Sequence, residues 1–257
     1  MFFISPIMYQ FLVSKLYGMN GKGRLNKKTI YDKGKLGDNV ESAKKDKTMI
    51  ALERKTCYLI SKRLIDIIGA LIGIILFSPF FLIICLAIKI EDSKGPVFYS
   101  HKRLGKNGNL IPVYKFRSMY QNADQMVALF TEEQRKEYEE NFKLKDDPRI
   151  TRVGKFLRKT SLDELPQFFN VLKGEMSIVG PRPIVRAELE KYKGYESIFL
   201  SVQPGLTGMW QALGRSETTY EERVKMDIEY IQNRSLWLDI KLIICTFASV
   251  ITGKGAY

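Results

Sequence analysis

Two adjacent carboxylates, Asp163 and Glu164, stand in a stretch rich in arginine: Arg149, Arg152 and Arg158 precede them, Arg182 and Arg186 follow, and Arg215 lies further on. Phosphoryl chemistry uses this set of groups. Guanidinium forks bind phosphate oxygens through paired hydrogen bonds. Paired carboxylates hold Mg2+, which completes its shell with phosphate and water. A carboxylate also attacks phosphorus as a nucleophile, and metal and arginine then balance the charge of the transition state. The same residues admit a second reading. Ser161 and Glu164 have the spacing of a capping box, with Asp163 in an acidic first turn.

Other chemistries have less to work with. The chain holds one histidine, His101, inside the basic string His101-Lys102-Arg103, which is a poor place for a buried, oriented base. Cys57, Cys85 and Cys245 are far apart and lack metal-ligand spacing, so neither a zinc site nor a disulfide framework is indicated. No GxGxxG and no GxxxxGK[ST] occurs, which removes the common nucleotide-binding fingerprints. Lys and Arg number 41 against 28 acidic residues, a net charge of +13 that calls for an anionic partner.

The elements that must position the dyad are legible around it. Residues 161–174 read as a helix with Pro166 in its first turn, Phe168, Phe169 and Leu172 on its core face and Gly174 as its cap. Residues 150–160 set Ile150, Val153 and Leu157 against Arg152, Lys155, Arg158 and Lys159, a helix suited to a membrane surface or a phosphate site. Residues 94–119 read as a basic β-hairpin turning at Lys106-Asn107-Gly108. Residues 121–143 read as a charged helix with Met126, Leu129 and Phe130 on one face. Residues 177–183 turn at Gly180-Pro181, and 202–215 read as loop. Helices are expected over 217–232 and 235–252; the second suits either core packing or interfacial docking.

Ahead of these lies IIGALIGIILFSPFFLIICLAI, residues 67–88, 22 residues without a charge. A helix needs about 20 apolar residues to cross a bilayer. Ser78-Pro79 interrupts the run where proline removes a backbone hydrogen bond. Basic residues flank both ends, so charge does not assign an inside and an outside. A spanning helix and a hairpin that turns back at Pro79 both fit. Residues 14–50 are polar and without period, a basic tail.

The string DDPRITRVGKFLRKTSLDELPQFFNVLKGEMSIVGPRP, residues 146–183, resembles the signature block of bacterial sugar transferases, the monotopic polyprenyl-phosphate phosphoglycosyl transferases. Residues 62–83, 95–119, 204–215 and 235–246 are similar to further blocks of that family in the same order, so the resemblance covers about 58–253. It implies an α/β fold, mostly helical with a small β-hairpin or sheet, a re-entrant membrane helix hairpin broken at Ser78 and Pro79, and interfacial amphipathic helices. It divides the chain into a basic segment 1–57, a membrane segment 58–92 and a catalytic domain 93–257 on the cytoplasmic face of the bacterial cell membrane. It implies Asp163 as nucleophile with Glu164 assisting, both at Mg2+, and Arg117, Arg149, Arg158, Arg182, Gln211 and Arg215 as substrate- and phosphate-binding residues. The partners implied are a UDP-sugar, polyprenyl phosphate, the membrane and other glycan-assembly enzymes, with no nucleic acid.

Overall fold

A computed structural model describes residues 56–141, 144, 146–213 and 218–251. The tail expected over 14–50 lies outside the described residues, as does Arg215. The architecture is mostly helical, as the sequence suggests, with two small sheets.

The first helix, α1 (Thr56–Glu91), runs 36 residues through Pro79. The helix is continuous through Pro79 and shows no separate turn between two arms there. Ser78 explains how the helix continues. Pro79 has no N–H to offer the carbonyl four residues back, Ile75 O, and the Ser78 hydroxyl donates to that carbonyl at 2.8 Å instead.

α1 is bound to the rest of the chain along its length. Near its start, Lys62 pairs with Asp239 at 3.0 Å, and Arg63 donates to Val171 O and Leu172 O at 2.6 and 2.8 Å. Buried Asp66 accepts from Ser177 Oγ and Ile178 N, both at 2.9 Å. Midway, Phe77 stacks on Phe168, and Phe81 meets Phe116 and Phe169 edge-on. At its end the Glu91 carboxylate accepts from Arg152 N and Val153 N at 2.7 and 2.8 Å. The charges flanking the apolar run thus finish neighbouring helices, a cation on carbonyls at one C-terminus and an anion on amides at one N-terminus.

The expected hairpin is present. β1 (Phe98–Leu104) and β2 (Leu110–Phe116) pair antiparallel, with Phe98 opposite Phe116 and Leu104 opposite Leu110. Asn107 and Gly108 at the turn take positive φ of 60 and 77°. The helix expected over 121–143 is broken instead. α2 (Ala123–Met126) runs into a 3-10 turn, Phe130 is extended, and α3 (Glu132–Asn141) follows. Phe130 is buried while Leu129 is exposed, so those two do not share a core face.

After α4 (Arg152–Thr160) and α5 (Gln167–Lys173), the segments expected as turn and loop supply a second sheet. β3 (Ser177–Val179) and β4 (Gly205–Thr207) pair in parallel. The approach is close enough that a Cβ on Gly205 would fall on the backbone of Gly180. Five helices complete the order: α6 (Arg186–Leu189), α7 (Glu196–Leu200), α8 (Met209–Leu213), α9 (Tyr220–Asn233) and α10 (Leu236–Ile251). Thr219 and Glu222 form the capping box of α9. Ile184, Ile198, Phe199, Ile228, Ile231 and Leu242 anchor the main core. Ile84, Ile88, Phe116, Leu157 and Leu165 form a smaller one under the C-terminal half of α1.

Candidate active site

α4 delivers the dyad. Thr151 caps its start, Oγ1 accepting from Gly154 N at 2.8 Å. Gly154 allows the helix to lie on Ser118, because a Cβ there would strike the Ser118 carbonyl. α4 ends at Ser161, a non-glycine residue in the left-handed region at φ 58°. The chain then makes a 3-10 turn over Leu162–Glu164, and α5 starts only at Gln167. The capping box expected of Ser161 and Glu164 is therefore not formed: Ser161 closes the helix before it, makes no side-chain cap, and Glu164 reaches elsewhere. Gly174 ends α5 at φ 80°, the left-handed cap expected of it.

Both carboxylates converge on Lys115 of β2. Its ammonium lies 3.3 Å from Asp163 Oδ2 and 2.7 Å from Glu164 Oε1. Asp163 is buried. That burial pushes its carboxyl above the usual range, Lys115 opposing and Glu164 adding to the shift. Burial acts the same way on Glu164, but Lys115 and then Arg182 outweigh it and hold that carboxyl below its usual value. Burial thus favours the neutral form of Asp163, while Lys115 and Arg182 favour the charged form of Glu164.

Arginines surround the pair at different ranges. Arg158 donates from Nε to Ser118 Oγ at 2.9 Å. Burial lowers its guanidinium, and the charges of Asp163 and Asp147 oppose that effect. Arg182, exposed, acts on Glu164 and lies 5.8 Å from the Trp210 ring. Arg103 of β1, 3.5 Å from Glu188, also senses Glu164 and Arg182.

Two of the expected arginines are engaged in the frame. Arg117 is buried and donates to Asp92 Oδ2 at 2.8 Å and to Asp92 O at 2.6 Å. Arg149 is buried, holds Asp147 through Nε and Nη2, and lies over the rings of Phe130 and Tyr138. The described geometry brings Arg158 and Arg182 to the dyad. Arg117 and Arg149 fix the segment beside it, from Asp92 to Asp147.

A second polar group adjoins the first through Arg182. Trp210 and Gln211 sit on α8, and Arg223 and Asp227 on α9. Arg223 lies 4.6 Å from the Trp210 ring. Asp227 is fully buried and accepts from Tyr192 OH at 2.7 Å. Burial pushes its carboxyl up to about 7, against the hydrogen bond from Tyr192 and the charges of Arg182 and Arg223. Lys115, Arg103, Arg223 and Asp227 escaped the sequence reading as individuals. Lys115 and Arg103 were two basic residues of a basic hairpin, and α9 offered only a helical period.

Among the described residues no group of three or more His, Cys, Asp or Glu side chains is placed to hold a metal ion. The dyad still fits Mg2+, which is commonly held by one or two carboxylates with phosphate and water filling its shell. The Lys115 ammonium between the two carboxylates marks a position that favours a cation.

The chain is 48% identical over 199 residues to an undecaprenyl-phosphate galactose phosphotransferase of Salmonella typhimurium, covering 76% of this chain and 41% of that protein. It is 45% identical over 201 residues to the exopolysaccharide production protein ExoY of Sinorhizobium fredii, covering 77% and 88%. It is 43% identical over 209 residues to a UDP-glucose:undecaprenyl-phosphate glucose-1-phosphate transferase of Klebsiella pneumoniae, covering 77% and 42%. The chain thus spans about two fifths of the Salmonella and Klebsiella proteins and most of the Sinorhizobium one. The profile of one family, described as bacterial sugar transferase, matches residues 57–253, which takes in α1, the hairpin, the dyad and α10, and the chain belongs to that family.

Proposed function

We propose that the chain transfers a sugar 1-phosphate from a UDP-sugar to undecaprenyl phosphate or a related polyprenyl phosphate, giving a polyprenyl-diphospho-sugar and UMP, as a first step of exopolysaccharide, capsule or glycoconjugate synthesis. The observation that carries this reading is the buried Asp163 beside Glu164 under the Lys115 ammonium, with Arg158 and Arg182 within charge range. Asp163 attacks the β-phosphorus of the donor. The bond to the UMP oxygen breaks, UMP leaves with its electron pair, and a phosphosugar remains as an acyl phosphate on Asp163. A phosphate oxygen of the lipid then attacks the same phosphorus and frees the Asp163 carboxylate. One phosphoanhydride replaces another, so the exchange needs little driving force. The two-step path lets one nucleophile serve a soluble donor and a lipid acceptor in turn.

Mg2+, held by Asp163 and Glu164, would neutralise diphosphate charge. Lys115 holds Glu164 ionised, and Arg158 and Arg182 bind phosphate oxygens. The names of the relatives support the lipid and differ in the sugar, galactose for the Salmonella protein and glucose for the Klebsiella one, so the sugar here is for experiment to name.

The acceptor places the reaction at a membrane, with the catalytic residues on the cytoplasmic side of the bacterial cell membrane. α1 is long and apolar enough to cross a bilayer, yet both its ends are bonded to the same domain, through Lys62 and Glu91. In this reading α1 keeps its ends on one side and gives its free apolar face to lipid.

The test is UMP release by the detergent-purified chain from a panel of UDP-sugars with Mg2+, with and without undecaprenyl phosphate. Turnover should need the lipid and be limited to one or two sugars. Asp163→Ala should abolish it while leaving folding and membrane association intact; an active variant would remove Asp163 as nucleophile.

A further inference from the structure

Among the described residues, three of the buried side-chain atoms without a hydrogen-bond partner are Gln211 Oε1, Arg223 Nε and Asp227 Oδ1. They lie on α8 and α9, which pack against each other. Gln211 follows Trp210 on α8, Arg223 lies over the Trp210 ring, and Asp227 senses the charges of Arg223 and Arg182. Folded proteins leave few buried polar groups unpaired, and several at one place signal a site whose partner is missing. Arg223 and Asp227 are four residues apart on one helix, a spacing at which opposite charges usually pair. Here the arginine lies 4.6 Å from the indole instead, and Asp227 meets only Tyr192 OH, through its other oxygen.

The unpaired set comprises two acceptors and one donor. A phosphate group, which only accepts, would leave both acceptors unmet and be repelled by the carboxylate. Adjacent hydroxyl groups, each able to donate and accept, match the set. Resting on the transferase reading above, we propose that Asp227, Arg223 and Gln211 form a hydroxyl-recognition subsite for the nucleotide-sugar donor. Asp227 Oδ1 and Gln211 Oε1 accept from neighbouring hydroxyls, and Arg223 Nε donates to one of them. Arg223 and Gln211 are half-buried and Asp227 fully so. Arg182, acting on both Glu164 and Asp227, links this subsite to the dyad. Two parts of the donor carry adjacent hydroxyls, the transferred hexose and the ribose.

The experiment measures kcat/KM for UMP release from UDP-glucose, UDP-galactose and their N-acetylated counterparts, together with inhibition by UMP and the melting temperature. It compares the full chain with Asp227→Asn and Arg223→Gln. If the subsite reads the hexose, the ratio between the best and the next donor should fall at least about tenfold in each variant, with inhibition by UMP unchanged. If it reads the ribose, all donors should lose the same factor, on the order of tenfold or more, and inhibition by UMP should weaken in step. Should Asp227→Asn not fold, Arg223→Gln, altered at a half-buried position, carries the same readouts. Donor ratios and UMP inhibition both within about twofold of the unaltered chain, with only the melting temperature changed, would overturn the proposal and leave these atoms as the hosts of a buried water. Absence of UMP from the unaltered chain with every donor would instead defeat the transferase reading itself.

Discussion

Asp227 carries a consequence for stability. Its carboxyl is ordinary in the unfolded chain, near 3.8, and is raised to about 7 by burial in the folded one. The folded state therefore keeps this proton after the unfolded state has lost it. The stabilisation this gives is full below pH 3.8, declines as pH rises from there, and is gone above about 7. Asp227→Asn removes the titration while keeping the shape. Melting temperatures of the two chains from pH 5 to 8 should diverge, the unaltered chain losing stability relative to the variant until about pH 7 and then running parallel to it. Parallel curves throughout would mean that Asp227 titrates normally in the fold. At this scale the sequence displays some residues and conceals others. Adjacent carboxylates among arginines are conspicuous in one dimension, so Asp163 and Glu164 stand out. Lys115 is 48 residues from Asp163 in sequence and meets it only because the hairpin folds onto the 3-10 turn. Arg117 and Arg149 look the same in sequence as Arg158 and Arg182; only their pairing with Asp92 and Asp147 sets them apart.

Among the elements, the hairpin, α4, the end of α5 at Gly174 and α9 follow patterns visible in the chain. The second sheet does not, because β3 and β4 are three residues each and their pairing depends on the close approach of Gly180 and Gly205. α1 is the informative departure. Proline marks a missing hydrogen bond, but whether the helix ends there depends on whether another donor finds the orphaned carbonyl, and Ser78 supplies one. This makes a test by double substitution. Ser78→Ala alone leaves Ile75 O unpaired in an apolar setting and should cost about 1–3 kcal/mol. Pro79→Ala restores the backbone donor, so adding Ser78→Ala in that background should cost less than about 0.5 kcal/mol. Denaturant unfolding in detergent measures all four corners of the cycle. Equal costs in both backgrounds would show that the Ser78 hydroxyl does not compensate for Pro79.

At the scale of the molecule, apolar surface is left over, and it lies chiefly on two helices. Ile72, Ile75, Leu76, Leu82, Ile83 and Leu86 of α1 are exposed, and so are Trp237, Ile240, Ile244 and Phe247 of α10. Soluble monomers seldom expose so many large apolar side chains together. α10 also explains why an apolar helix carries Asp239 and Lys241. Asp239 turns inward to Lys62, Tyr58 and Tyr230, tying α10 to the start of α1, while the opposite face remains apolar. The surplus of 13 positive charges suits an anionic lipid surface. If both apolar faces enter the same membrane, the two tryptophans report on it separately. Trp237 is 65% exposed, beside the Lys241 ammonium, as interfacial tryptophans often are, and Trp210 is 8% exposed within the donor-side cluster. In vesicles whose acyl chains carry bromine, a quencher that acts only at contact range, a Trp210→Phe chain should lose most of its Trp237 emission. A Trp237→Phe chain should keep that of Trp210. Quenching of neither, in protein that floats with the vesicles, would confine the membrane contact to α1 and turn the face of α10 away from lipid. Quenching of both would place the donor-side cluster itself in the bilayer, a position that a water-soluble nucleotide-sugar could not reach.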